Sequence, residues 1–299
     1  MAAEPQPSGF LTHARELANI VAPVTLVTTL LLYFGYIGTR ARLEYFGVYL
    51  DMTGLTNQDL VMSGLEVVYF PAAMLFLAVL AGAIAHAAVT WLLTRPGRSR
   101  ETLVLGAVVV TLGILAVGRA LVGLFNVEVS TVETPGTTPL SLALGPLLTA
   151  YGIWICWRIA RNPALQAWHD SPPMRQVRIV ALAAVGALLV VGLFWAANSF
   201  AWAFGTGRAY EEAGRLPDRP EILIDTKERL VALPPEVVET SLASPGNSPD
   251  KEGFRFRYGG LRLLIEADGR LYLVPAAWTA TSRTIVVPYD DSVRVQLIP

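Results

Sequence analysis

Residues 179–204 read IVALAAVGALLVVGLFWAANSFAWAF, a run of 26 residues without one charged side chain. A helix needs roughly 20 apolar residues to cross about 30 Å of hydrocarbon. Every backbone amide in lipid must also be paired inside its own segment, so such a run predicts a spanning helix and not a strand. Working outward, four more windows of span length appear: Ala18–Gly38 and Thr138–Trp157 without charge, Ala72–Thr94 with only His86, and Thr102–Phe125 with only Arg119. Aromatic residues mark their ends, with Tyr33, Phe34 and Tyr36 closing the first, Trp154 and Trp157 the fourth, and Trp195, Phe200, Trp202 and Phe204 the fifth, as rings at a lipid boundary do. The predicted fold is a multi-pass α-helical membrane protein of five transmembrane helices, spanning 18–38, 72–94, 102–125, 138–157 and 179–204, with a small C-terminal all-β extracytoplasmic domain.

Composition agrees with two solvents. The chain of 299 residues is 53% hydrophobic and 16% charged with net charge -1, which excludes a basic nucleic-acid binder, a disordered chain and a disulfide scaffold. Residues 1–204 hold 11 Arg and 10 acids, whereas 205–299 hold 12 Lys and Arg and 14 acids in less than half the length, a net of 12 - 14 = -2. Arginine outnumbers lysine 21 to 2, the usage of a GC-rich bacterial genome.

Orientation follows from Arg in the connections. The N-terminal side carries Arg15, Arg95, Arg98, Arg100, Arg158, Arg161, Arg175 and Arg178; the other carries Arg40, Arg42, Arg208, Arg215 and Arg219. Eight against five places the tail 1–17 in the cytoplasm of a plasma-membrane protein and the C-terminal region outside.

After Gly205 a linker, 205–220, is expected to lead to a β-domain at 221–299. Short alternating runs separated by turn residues predict antiparallel strands at 221–225, 229–232, 254–258, 261–265, 270–274, 284–287 and 292–298. Asp268-Gly269 is a strong type I′ hairpin signal, and 241–253 is a loop rich in Pro, Gly and Asn. Seven such strands suit a small sandwich or partly open barrel, stable once docked on the helices or a partner. The aromatic first loop, Arg42 to Leu50, offers such a base. Arg255, Arg257, Arg262 and Arg270 form a candidate anion or partner face, since guanidinium pairs well with phosphate; the simpler alternative is the solvated side of half-buried strands.

No phosphate loop, dinucleotide fingerprint, HExxH, CxxC or GxSxG motif occurs, and His13, His86 and His169 are too scattered to assemble a triad or a histidine metal site. No catalytic residue, cofactor or metal is therefore assigned. Cys156, the single cysteine, reads as a packing residue of the fourth span.

The residues out of place in lipid are the intramembrane candidates. Arg119 can snorkel to the outer headgroups or pair with Glu66, which a helix starting at the capping sequence Thr56-Asn57-Gln58-Asp59 would carry to the same leaflet. His86 lies on a small-residue stripe with Ala78, Gly82 and Thr90; its alternatives are a proton relay and a neutral imidazole bonded across a helix contact. Stripes at Thr25, Thr29, Tyr33 and Tyr36, and at Ser141, Gly145, Thr149, Gly152 and Cys156, either line a conduit or pack helices. The expected function is non-enzymatic: a sensor, accessory or assembly factor whose outer β-domain binds a partner. The alternative is an oligomeric channel or transporter subunit with a pore between chains. Expected partners are membrane lipid, a further copy of the chain or another membrane or envelope protein, and no nucleic acid.

Overall fold

The apolar runs set where helices form, and several of those helices continue past them into charged sequence. In the computed structural model the helices are α1 (Gly9–Tyr45), α2 (Asn57–Thr94), α3 (Ser99–Phe125), the short α4 (Val127–Val132), α5 (Thr137–Ile159) and α6 (Pro172–Arg215). The structure describes residues 9–95, 97–159, 171–231, 233–242, 253–279 and 281–299. The start of the N-terminal tail, His169 and most of the loop expected at 241–253 lie outside the described residues, as does the side chain of His13. Five helices are long and apolar enough to cross a membrane. Large apolar side chains stand exposed along them, among them Phe76, Leu115, Val180 and Val190. A soluble surface rarely carries apolar area of that extent.

Helix ends obey local rules. α2 opens on the expected capping sequence: the Thr56 hydroxyl donates to Asp59 Oδ2 at 2.7 Å, and the Asp59 amide donates back to Thr56 Oγ1 at 3.3 Å. α1 closes with the Val48 amide on the Leu43 carbonyl (3.0 Å) and the Gly47 amide on that of Glu44 (3.0 Å). Gly47 takes φ +70°, the left-handed geometry this cap requires. The helices pass through Pro23, Pro71 and Pro146 without interruption. The expected linker 205–220 is a correction: α6 runs to Arg215, followed by a 3-10 turn at Leu216–Asp218. Its charged residues Arg208, Glu211, Glu212 and Arg215 recur at helical intervals, so the helix outlasts its apolar run.

The chain divides into two compact units, 1–67 with 201–299, and 68–200; α2 and α6 contribute residues to both. In the second unit α3 packs on α5 through glycines. A Cβ on Gly113 would lie 2.5 Å from the Thr149 amide nitrogen, one on Gly145 2.8 Å from that of Val117, and one on Gly152 2.7 Å from that of Val110. The stripe from Gly145 to Cys156 is thus occupied by helix packing, with Thr149 bonded to its own helix at the Gly145 carbonyl (2.8 Å) and Cys156 against Gly106. Thr29 likewise donates to the Thr25 carbonyl at 2.8 Å.

The first unit holds one sheet of strands β1 (Glu221–Thr226), β2 (Val238–Ser241), β3 (Phe256–Ala267), β4 (Arg270–Pro275), β5 (Ile285–Pro288) and β6 (Val293–Ile298), all pairings antiparallel. The order is β5-β4-β3-β1-β6, with β2 also on β3. This departs from the seven expected strands in three places. Gly259-Gly260 is a bulge inside one long strand and not a turn, because Gly260 at φ +82° absorbs the extra residue while pairing with β1 continues on both sides. Residues 229–231 are not extended in the sheet, and 238–241, where no strand is expected, pair with β3. The Asp268-Gly269 turn is as expected, with φ of 51° and 65° joining β3 to β4.

Each face of the sheet has its own core. On one, Leu264, Tyr272 and Val274 pack with Leu43, Phe46, Leu50, Leu60, Ala209 and Leu216 from the helix ends and first loop. On the other, Ile222, Ile224, Tyr258, Leu261, Leu273 and Val287 gather under Leu230, Leu233 and Val237. The small sheet is therefore seated on the termini of α1 and α6 and the start of α2. The loop from Phe46 to Leu55 is its base: the Tyr272 hydroxyl donates to the Met52 carbonyl at 2.8 Å and Thr284 to that of Phe46 at 2.5 Å.

Candidate functional site

Where α1, α2 and α6 converge beside the sheet, the chain leaves a cleft of about 320 Å³. The approach of the helices is set by glycine: a Cβ on Gly205 would lie 2.1 Å from the Gly38 carbonyl oxygen, and one on Gly35 1.9 Å from that of Leu60. Gly38, Gly205, Val67 and Phe204 form its apolar lining, and Thr39 and Ser63 add hydroxyls. The remaining walls are charged.

Glu212, 6% exposed, is the fixed anion of this cleft. Arg42 grips both its oxygens, at 2.6 and 2.8 Å, and Arg219 adds a contact at 2.7 Å while donating to the Leu263 carbonyl at 3.2 Å. One carboxylate so joins α1, α6 and β3, with the bidentate geometry that makes guanidinium pairs strong. Nearer the solvent, Arg208 pairs with Glu66 and lies 3.6 Å from Glu211; all three side chains are about half exposed. Arg215 also lines the cleft, exposed and without an ion pair among the described residues.

Glu66 is thus paired with Arg208, and Arg119 has a partner of its own. Arg119 pairs with Glu133 in the turn before α5, and Glu133 Oε1 also accepts from the Thr138 amide at 3.1 Å. Burial pushes the Glu133 carboxyl up, but the hydrogen bonds from Thr138 and from Arg119 outweigh it and hold the group below the ordinary glutamate value. Arg119 thus reaches the end of its span and finds an acid only 14 residues on, a separation shorter than that to Glu66 and legible in the acidic third loop. A double-mutant cycle on Arg119→Gln and Glu133→Gln is expected to give about 1 kcal/mol of coupling in unfolding free energy. Additive losses from these two substitutions would remove this assignment.

His86 meets α5. Its Nδ1 lies 3.0 Å from the Tyr151 hydroxyl, and its ring lies 5.6 Å from that of Trp154, which stacks on Tyr151. The ring is thus held across a contact between α2 and α5. Gly82, on the same stripe, has open space where a Cβ would stand.

Of the four candidate arginines, Arg257 and Arg262 are engaged by partners within the first unit. Arg257 grips Asp225 at 2.7 and 2.9 Å, and Arg294 from β6 reaches the same carboxylate at 2.8 Å. Arg262 donates to the Leu216 carbonyl at 3.1 Å and lies 3.9 Å from Glu221. Arg255 and Arg270 are exposed. Asp225 is fully buried; burial raises its carboxyl, and the hydrogen bonds and charges of Arg257 and Arg294 more than reverse this, holding it below the ordinary range.

No group of His, Cys, Asp and Glu able to hold a metal ion occurs among the described residues. Compared with protein families, characterised proteins and solved structures, the chain gives no match.

Proposed function

We propose that this is a bacterial plasma-membrane protein, anchored by its five helices with the N-terminus cytoplasmic and the β-sheet outside, where the sheet binds a partner polypeptide. On this reading it works as a sensor, accessory or assembly factor and not as an enzyme. The observation that carries it is the seating of the sheet on the helix ends through the buried cluster of Leu43, Phe46, Leu216, Tyr272 and Val274. A partner held by a sheet so joined would bias α1 and α6 directly, because a packed core transmits displacement where a flexible tether does not. An edge also favours binding: β6 pairs with β1 alone and leaves Leu297 and Ile298 exposed, a form suited to addition of an extended segment. The rival pore between identical chains loses the support of the fourth-span stripe, which α3 occupies.

The test uses the full chain with Cys156→Ser. Leu297→Cys should react with a membrane-impermeant maleimide in intact cells, and Arg98→Cys only after lysis. A photoreactive residue at position 297 should then give a discrete adduct with a second polypeptide. Labelling of both positions only after lysis, or the absence of any adduct along β6, would sink the proposal.

A further inference from the structure

We propose that the cleft between α1, α2 and α6 binds the headgroup of an anionic phospholipid, holding its phosphodiester among the guanidiniums and its hydroxyls against the exposed carboxylates. The proposal rests on the membrane-anchored reading above, which supplies the ligand's source.

Charge makes the first argument. Arg42, Arg208, Arg215 and Arg219 face Glu66, Glu211 and Glu212, so the cleft carries four cations against three anions. Glu212 is consumed by Arg42 and Arg219, and Glu66 and Glu211 share Arg208. The surplus charge is Arg215, and one phosphodiester monoanion balances it. A guanidinium suits this task because its planar donors match phosphate oxygens.

Position makes the second. Gly38 and Gly205 end the apolar runs of their helices, and Arg42 stands four residues beyond Gly38, a rise of about 6 Å. The cleft thus runs from the hydrocarbon edge into the layer where lipid phosphates lie. Its apolar lining at Val67 and Phe204 faces the glycerol end of a lipid, and its charged walls face the headgroup. At about 320 Å³ it lies at the low end of ligand clefts, roughly 300–1,000 Å³, which admits one headgroup and excludes the chains.

Chemistry makes the third. Glu66 and Glu211 are 57% and 59% exposed, so each keeps oxygen lone pairs free beyond its contact with Arg208. Those carboxylates repel the higher charge of inorganic phosphate, partly a dianion at neutral pH, and accept from alcohol hydroxyls, which favours a monoanionic polyol phosphodiester. Ser63 and Thr39 supply further neutral donors to phosphate oxygens.

The experiment titrates the purified full-length protein, in neutral detergent, with dihexanoyl phosphatidylglycerol, inorganic phosphate or dihexanoyl phosphatidylcholine, following the unfolding midpoint. A ligand bound to the folded state alone raises the midpoint saturably. Phosphatidylglycerol should do so, and Arg215→Gln should raise its half-saturating concentration about tenfold, whereas Arg270→Gln, outside the cleft, should titrate as the parent. Arg215 is exposed and has no ion pair among the described residues, so its replacement removes none of those contacts. The proposal is overturned if no saturable rise occurs, if Arg215→Gln titrates as the parent, or if inorganic phosphate or phosphatidylcholine matches phosphatidylglycerol. None of these results depends on orientation in the membrane, so each is separable from failure of the maleimide test.

Discussion

Asp225→Ala should destabilise the sheet by about 3 kcal/mol, the lower end of the cost of breaking a buried ion pair. The carboxylate is fully buried on β1 between Arg257 of β3 and Arg294 of β6, so its removal takes from both guanidiniums the anion they share. Both arginines are 31% exposed and gain some water, which is why the lower end applies. Hydrogen exchange on the full chain reads the effect. Amides of β1, β3 and β6 should lose protection by about a hundredfold, and unchanged protection in β1 and β6 would refute the assignment. The same group gives a pH dependence. Its folded pKa is lowered, so the unfolded chain binds the proton first as pH falls. The contribution is therefore complete above the unfolded value of about 3.9 and is lost as pH falls from there through the folded value. Between neutral pH and pH 3 the parent should lose more sheet protection than Asp225→Asn; equal losses would mean that another group dominates.

Gly205→Ala should cost about 3 kcal/mol, the upper end for overpacking, although alanine is the better helix former by about 1 kcal/mol. The added Cβ would stand 2.1 Å from the Gly38 carbonyl oxygen, a backbone atom that cannot rotate away, and 3.0 Å from the Ala41 Cβ. α1 and α6 must separate, and Arg42 and Glu212, on the following turns of those helices, would be drawn apart with them. Gly207→Ala, two residues on, meets nothing within 4 Å and should be neutral or slightly stabilising. Thermal unfolding in detergent compares the two directly. Equal midpoints for both variants would show that α1 and α6 do not cross at Gly205.

Features governed by nearest neighbours were legible without the fold. The capping sequence at Thr56 and the Asp268-Gly269 turn act within a few residues and hold as expected. The extension of α6 was also legible, since Arg208, Glu212 and Arg215 recur at helical spacing, but an expectation built on apolar length stops at Phe204. Gly259-Gly260 shows the opposite difficulty. Two glycines between alternating runs suit a turn equally well, and only the strand continuing beside it on β1 makes them a bulge.

The candidate site divides along the same line. Sequence singled out His86 and Arg119 because an ionisable group in an apolar run is expensive wherever it sits, a cost that needs no knowledge of neighbours, and Glu66 as one possible partner of Arg119. It left the pairing open, since pairing depends on which elements are adjacent. Arg208 and Glu212 enter by adjacency alone, whereas Glu133 is also legible in the acidic third loop.

By itself, then, the sequence determined the five apolar helices, the change to strands after them and the local caps and turns, because burial in an apolar phase and backbone pairing are properties of a segment. Tertiary structure alone decided that the sheet is seated on the helix ends, that one small-residue stripe is packing, and that four arginines and three glutamates from three helices and the turn beyond them share a single cleft. Those outcomes rest on contacts between residues as far apart as Arg42 and Glu212, and electrostatic pairing falls off within a few ångströms of such contacts.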